Sequence, residues 1–258
     1  MIMALIAYAC FGMAPLNDDI IFWDVLSGII HGVYILCLSR AYSTADLSYV
    51  YPIARSAPIF VPVFAWLLLD EQLSISIFFA IVLILLAIFI LHFEGKVIQG
   101  FKNLIGAFGH QDLRWAFYTL AMVVSYSLVD KKGMDSFLNH LPDQPFANGI
   151  TYFFIEATIG FALCNVYVFA SHPAKYIFQT WRSEWKKAML AGTATLGSYG
   201  LICVVLQFEA LSAIVSLRQV SVLMVVYWGC WRLKEPFGPQ RLLAGVLILI
   251  GVILIGSP

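Results

Sequence analysis

The fold is decided by the stretch Leu47-Ser-Tyr-Val-Tyr-Pro-Ile-Ala-Arg-Ser-Ala-Pro-Ile-Phe-Val-Pro62, in which three prolines and one arginine interrupt an apolar segment. Each proline removes a backbone donor and frees a carbonyl, so a helix here is predicted to be kinked or partly unwound. Broken backbone is tolerated at membrane depth only where it lines protein or a wet cavity. Ser48, Tyr51 and Arg55 share one helix face, which therefore points to a cavity and not to lipid.

The composition around this stretch indicates a membrane protein. Of 258 residues, 61% are hydrophobic and only 12% are charged, so apolar side chains exceed what a water-facing domain could bury. Fifteen basic residues balance fifteen acidic ones, and this balance excludes the basic field that nucleic acid requires. The five cysteines stand singly, without metal-ligand spacing, so we expect no disulfide framework, no metal site and no cofactor.

Nine apolar windows long enough for membrane helices predict an all-α, polytopic protein. Three connections are longer than a few residues, at 93–112, 130–147 and 172–187. The last of these is either an amphipathic segment on the membrane surface or a solvated loop. The predicted spans are 1–15, 21–42, 47–69, 73–92, 113–129, 148–171, 188–208, 211–231 and 242–255.

Lysines and arginines are distributed unequally between the two sides of this arrangement. Eleven fall on the side of the N-terminus and two, Lys131 and Lys132, on the other. Because positive loops stay in the cytoplasm, the count predicts a cytoplasmic N-terminus. Nine crossings then place Pro258 outside.

The chain also contains an internal repeat. A shift of 164 positions superposes Leu47-Ser48 on Leu211-Ser212 and Glu71 on Glu235. Five predicted spans separate the two glutamates, so the repeats have opposite orientation, as in many secondary transporters. A duplication that only doubled a stable bundle is the alternative. At both glutamates we favour hydrogen bonds that fix a helix corner.

Two arginines within the spans are the first candidates for substrate binding. Arg55 could offer its planar fork to an anionic group, or it could snorkel to the nearer interface. Arg218 and Gln219 stand in the equivalent region of the second repeat, and Ser216 shares the helix face of Gln219.

Further candidates lie in three other spans. Glu156 is either the partner of an arginine or a proton carrier. Tyr34 shares a face with His31, which we interpret as an interhelical hydrogen-bond donor. Tyr126 and Asp130 could line the mouth of a pocket, although Asp130 could instead pair with Lys131 at the interface. No hydrolase, redox or nucleotide-binding motif occurs, so we do not expect an enzyme.

Several of these motifs resemble one known family, the EamA-type proteins of the drug/metabolite transporter superfamily. The resemblance implies two inverted five-helix repeats, a central cavity, and export or exchange of small metabolites. It covers essentially the whole chain. The matching segments are Ala41-Tyr42, Asp46-Leu47-Ser48, Tyr51-Pro52-Ile53-Ala54-Arg55, Pro58 and Glu71-Gln72-Leu73-Ser74 in the first repeat, and Tyr126-Ser127-Leu128-Val129-Asp130-Lys131, Leu217-Arg218-Gln219-Val220-Ser221 and Leu233-Lys234-Glu235 in the second.

The chain departs from this family in two ways. Matching the motifs makes 1–15 the second helix of the family, so the first repeat spans 1–92 without its first helix, and the second spans 113–258. The segment Arg218-Gln219-Val220-Ser221 lacks the acidic and Thr residues expected beside the arginine. The family also implies a cytoplasmic C-terminus, in conflict with the count of basic residues.

Together these features predict a carrier in the bacterial inner membrane that exports or exchanges a small amphipathic or anionic metabolite by alternating access. Its partners would be the small-molecule substrate and the lipid bilayer, and either a monomer or a homodimer fits the sequence. A flippase for a lipid-linked sugar and a non-transporting membrane scaffold are the alternatives. The predicted substrate-binding residues are Tyr34, Ser48, Tyr51, Arg55, Tyr126, Asp130, Ser216, Arg218 and Gln219.

Overall fold

A computed structural model describes residues 14–44, 50, 53–54, 56–72, 74–92, 113–221, 224 and 239–255. Within these ranges all regular structure is helical, which agrees with the predicted all-α class. The eight helices described are α1 (Asp18–Thr44), α2 (Ala57–Leu69), α3 (Ile75–His92), α4 (Arg114–His140), α5 (Pro145–Ser171), α6 (Ala174–Leu206), α7 (Leu211–Leu217) and α8 (Pro239–Ile255).

Each described helix overlaps one of the predicted spans. Three of them, α1, α5 and α6, are long and apolar enough to cross a membrane by themselves. Helices α2, α3 and α8 contain shorter apolar segments. The first predicted span and the connection at 93–112 lie outside the described residues, apart from 14–15.

Two of the predicted long connections, 130–147 and 172–187, are much shorter than predicted, because only 141–144 and 172–173 lie outside helices. Helix α4 continues to His140, stabilised by an ion pair of 2.8 Å between Lys131 Nζ and Asp135 Oδ1, one helical turn apart. Met134 and Phe137 on the same segment are fully buried. Helix α6 begins at Ala174, directly after Pro173, so the segment 174–187 is neither a loop nor a separate surface turn.

The described chain divides into two compact units, and each unit draws on both predicted repeats. The first unit comprises 1–36 and 125–209, and the second comprises 37–124 and 210–258. The proposed repeat boundaries at 92 and 113 are therefore not the boundaries of these units, and they stay a prediction about sequence equivalence.

Close helix packing in the first unit depends on small residues. A Cβ atom built on Gly28 would lie 2.7 Å from Ile159 Cβ and 2.9 Å from the Glu156 carbonyl oxygen. A Cβ on Gly32 would lie 3.0 Å from Leu163 Cδ2. A larger residue has no room at Gly28 and would displace Leu163 at Gly32, so the Gly28-x-x-x-Gly32 pattern brings α1 and α5 into close contact.

The second unit places two repeat-equivalent helices against each other. Helices α3 and α8 begin 164 residues apart, at Ile75 and Pro239. Gly251 lies against Ile84, whereas Ala87, which comes later in α3, joins a buried cluster with Ala244, which comes earlier in α8. The two helices therefore run antiparallel, which agrees with a repeat of opposite orientation.

The predicted interruption of the proline-rich span is present at Ser56. Residues 53–54 are helical, Ser56 forms a turn, and α2 begins at Ala57 with Pro58 in its first turn. The Ser56 amide donates to the Ile53 carbonyl at 3.1 Å, a three-residue bond that differs from α-helical spacing. This break adjoins Arg55, which lies outside the described residues.

Candidate functional site

The most polar part of the first unit is a group of side chains around the carboxylate of Asp130. Asp130 is fully buried and lies in the second half of α4. Its Oδ1 accepts the hydroxyl of Ser27 and, at 3.2 Å, the hydroxyl of Tyr152. Its Oδ2 accepts the hydroxyl of Tyr199 at 2.5 Å. Three donors from α1, α5 and α6 thus converge on one carboxylate.

A second carboxylate stands beside it on α5. Glu156 is 1% exposed, and its Oε1 lies 2.9 Å from His31 Nδ1 on α1. The same nitrogen is 3.3 Å from the Ser27 hydroxyl, so the Glu156 and Asp130 groups are joined through His31 and Ser27. Glu156 Oε2 has no hydrogen-bond partner among the described residues.

A third carboxylate, Asp24, lies one turn earlier on α1 than Ser27 and on the same helix face. Its side chain is fully buried, and neither oxygen has a hydrogen-bond partner in the described part of the chain. Asp24 lies close enough to Glu156 and Asp130 for its ionisation to be coupled electrostatically to theirs. We call Asp24, Ser27, His31, Asp130 and Glu156 the acidic centre.

Aromatic rings surround the acidic centre on one side. The Tyr126 ring stacks on the His31 imidazole with a centroid distance of 3.9 Å. Tyr34 and Tyr199 meet the same imidazole edge to face, at 6.3 and 5.4 Å. This geometry fixes the plane of the imidazole, and with it the direction of its Nδ1 atom.

The structure gives the predicted site residues three different outcomes. It brings together Tyr34, Tyr126, Asp130 and Glu156 in the first unit, at or beside the acidic centre. Asp130 does not pair with Lys131, because Lys131 Nζ binds Asp135 and donates to the Leu206 carbonyl at 2.8 Å. Among the described residues, the charged partner of Glu156 is His31 and not an arginine.

The predicted residues of the second repeat lie in the second unit. Ser216 is fully buried and donates to the Ser212 carbonyl at 2.8 Å. Gln219 is 5% exposed and donates to the Val215 carbonyl at 3.4 Å. Arg218 is half-buried and is the C-cap residue that follows α7. Ser48, Tyr51 and Arg55 lie outside the described residues, so their predicted role is not tested.

Helix α7 ends in a break close to the position equivalent to Ser56. The Gln219 amide donates to the Ser216 carbonyl at 3.0 Å, a three-residue bond. Ser56 plus the repeat shift of 164 corresponds to Val220, one residue beyond Gln219. Under the predicted repeat, the two helix breaks therefore lie within one residue of equivalent positions.

Sequence reasoning missed four members of the site: Asp24, Ser27, Tyr152 and Tyr199. Two of them had a usable signal. Asp24 is an acidic residue inside a predicted span, which by itself marks a functional position, and Ser27 and His31 share its helix face. Tyr152 and Tyr199 had no such signal in the sequence. Tyrosines are common in membrane helices, and only the packing shows which of their hydroxyls contact a carboxylate.

Three described helices are long and apolar enough to cross a membrane, and ionisable groups are buried among them, as in a multi-pass membrane protein. Residues 1–93 match the family model of the EamA-like transporter family. This match confirms the predicted EamA resemblance over the first repeat. The motifs of the second repeat lie beyond the matched residues. No curated protein sequence matches the chain.

Proposed function

We propose that this protein is a secondary transporter of the bacterial inner membrane, which exports or exchanges a small solute by alternating access. The EamA-like match supports the transporter class. The observation that carries the finer proposal is the acidic centre, in which Asp130, Glu156 and Asp24 are all buried at or within predicted spans. Buried carboxylates are expensive at membrane depth, and they are retained in membrane proteins mainly for substrate or ion pathways.

The helix breaks support alternating access. Interrupted helices at equivalent positions of two inverted repeats are typical of secondary transporters, whose solute sites lie beside the unwound backbone. The breaks at Ser56 and Gln219 lie within one residue of equivalent positions under the repeat shift of 164. The antiparallel packing of α3 and α8 is the geometry that two inverted repeats produce.

The negative charge of the carboxylates in the acidic centre favours a cationic solute over the anionic solute that the sequence predicts. Arg55 and Arg218 predict an anionic solute, but the described carboxylates of the first unit favour a cation. No ion pair among the described residues joins Asp24, Asp130 or Glu156 to Lys or Arg. The anionic alternative depends on the second unit, where Arg218 stands at the end of α7.

Comparison of solutes in intact cells tests this proposal even while the substrate is unidentified. Metabolites and metal ions retained by cells and released to the medium are measured for the wild type, Asp130→Asn and a matched control, Asp143→Asn. Asp143 is an exposed aspartate in the turn after α4. We expect at least one solute to change its distribution with wild type and with Asp143→Asn, and to lose that change with Asp130→Asn.

Two other outcomes would contradict the proposal. Identical distributions with and without the wild-type protein would argue for a non-transporting scaffold. A change confined to lipid-linked sugars would argue for a flippase. Loss of export with Arg218→Ala, together with full export by Asp130→Asn, would retain the transporter but assign it an anionic solute.

A further inference from the structure

We propose that the acidic centre binds a divalent transition-metal ion such as Mn²⁺ or Zn²⁺, coordinated by His31, Asp130 and Glu156. The transport of this ion as cargo rests on the proposed function, whereas its binding does not. One nitrogen or oxygen atom from each of the three residues lies within 4.8 Å of the others. Two ligand atoms about 2.0–2.3 Å from a common ion stand about 3–4 Å apart at cis or tetrahedral angles, so the most distant of these atoms would move together by about 1 Å when the ion binds.

Unpartnered carboxylate oxygens provide the independent evidence for a cation. Both oxygens of Asp24 and Oε2 of Glu156 are buried, and none of the three has a hydrogen-bond partner among the described residues. Buried carboxylate oxygens normally have partners, because leaving one without a hydrogen bond costs about 1–3 kcal/mol or more. Asp24 shares the helix face of Ser27 and His31, and it interacts electrostatically with both acidic ligands.

The charges of the acidic centre match a divalent ion. The acidic centre contains three carboxyl groups, of Asp24, Asp130 and Glu156, and one imidazole, and Lys131 is held elsewhere by Asp135 and the Leu206 carbonyl. With a neutral imidazole the ionised group carries three negative charges, so a divalent ion removes most of the cost of burying them.

The ligand types narrow the choice of ion. Magnesium and calcium prefer oxygen ligands throughout, whereas an imidazole nitrogen with two carboxylates suits manganese, iron, cobalt and zinc. His31 Nδ1 and Glu156 Oε1 lie 2.9 Å apart, and an ion that binds both atoms displaces any proton they share. Stacking of Tyr126 on His31 keeps the imidazole in position for this exchange.

Absorption spectroscopy with Co²⁺ on the full-length protein in detergent tests the site directly. Co²⁺ replaces zinc or manganese at nitrogen and oxygen sites, and its visible bands report coordination. We expect one equivalent of Co²⁺ to produce these bands with wild type, and Mn²⁺ or Zn²⁺ to abolish them by competition. The bands should disappear in His31→Gln and Glu156→Gln. They should persist in the exposed controls His172→Gln and Glu184→Gln.

A further variant keeps the test decisive if the ligand variants fail to fold. Asp24 is not among the three grouped ligands, so Asp24→Asn should preserve the Co²⁺ bands and weaken the affinity about 10- to 100-fold. Absence of Co²⁺ bands in wild type, or equal affinity in wild type and Asp24→Asn, would overturn the proposal. Export of a metabolite by a protein that binds no metal would refute this inference alone, whereas metal binding without any export would refute the transport function.

Discussion

Glu71 caps the helix that begins at Leu211, 140 residues further along the chain. Its Oε2 accepts the Leu211 amide at 3.0 Å, and its Oε1 accepts the Ser212 amide at 3.1 Å. These amides belong to the first turn of α7, where backbone donors have no partner within the helix. The corner role predicted for Glu71 is therefore present, but the carboxylate binds a distant helix and not its own loop.

Replacement of Glu71 should destabilise the protein. Glu71→Ala removes two hydrogen bonds and a negative charge at a helix N-terminus, so we expect a loss of about 1–2 kcal/mol in the free energy of unfolding. Glu71→Gln retains one acceptor and should cost less. Thermal unfolding in detergent measures both. Asp70→Asn is the control, since Asn tolerates the left-handed conformation of Asp70 (φ 53°) and the change removes only a neighbouring exposed charge.

The repeat extends this prediction to Glu235. The shift of 164 pairs Glu71 with Glu235 and Leu211-Ser212 with Leu47-Ser48. If the repeat is structural, Glu235 caps the helix at Leu47, and Glu235→Ala should lower stability by an amount similar to Glu71→Ala. The two losses should then add, because Glu235, Leu47 and Ser48 are different residues from Glu71, Leu211 and Ser212. A Glu235→Ala protein as stable as wild type would show that the second corner is built differently.

The hydroxyl donors of Asp130 should contribute unequally to stability. Tyr199→Phe removes the shorter bond, 2.5 Å to Oδ2, and we expect a loss of about 1.5–3 kcal/mol because the acceptor is a buried carboxylate. Tyr152→Phe removes a bond of 3.2 Å from Oδ1, which retains Ser27, and should cost about 1 kcal/mol.

Tyr176→Phe is the matched control for both tyrosines, because Tyr176 is 55% exposed. Its effect on unfolding should stay within about 0.5 kcal/mol. Chemical unfolding of the four proteins in the same detergent gives the ranking. If Tyr152→Phe proved the more damaging change, packing of its ring and not the hydroxyl bond to Asp130 would dominate at that position.

Glycines on α1 and α6 should respond to alanine in opposite directions. Gly28→Ala forces a methyl group to within 2.7 Å of Ile159 Cβ, and overpacking of this kind costs about 1–3 kcal/mol. Gly192 has no atom within 4 Å of an added Cβ among the described residues. Gly192→Ala should leave stability unchanged or raise it by up to about 1 kcal/mol, because alanine favours helix. Thermal unfolding distinguishes the two, and equal effects would contradict the close contact at Gly28.

The helices were predictable because the length of each apolar segment can be read from the sequence. The end of α4 and the beginning of α6 were not predictable in this way. Asp130, Lys131, Lys132 and Asp135 lower the apolar character after residue 129, and this change predicts the end of a span. The helix continues because Lys131 and Asp135 pair along it while Met134 and Phe137 remain buried. Hydropathy indicates which part of a helix can lie in lipid. Helical hydrogen bonds do not depend on lipid, so the helix can continue beyond its apolar part.

The site was only partly predictable for a different reason. Tyr34, Tyr126, Asp130 and Glu156 stand out in the sequence as isolated polar residues within or at the ends of spans, and the structure groups them. The sequence could not show that the carboxylates of Asp24, Asp130 and Glu156 form one group, because they belong to three different helices. Asp24 and Glu156 are more than 100 residues apart in the chain. The arginines in the sequence predict an anionic solute. Only the three-dimensional structure shows that carboxylates group around His31.

The length of α6 links the acidic centre to the thickness of the membrane. Its 33 residues extend for about 50 Å, well beyond a hydrocarbon core of about 30 Å. Trp185 is exposed and carries Lys186 over its ring at 5.8 Å, a pairing suited to the headgroup level. Tyr199 follows 14 residues later, about 21 Å along the helix axis, so an anchored Trp185 sets the depth of the hydroxyl that holds Asp130. Lipids with longer or shorter acyl chains would thus change the distance of this carboxylate from the opposite interface, and under the proposed function we expect the transport rate to depend on acyl-chain length.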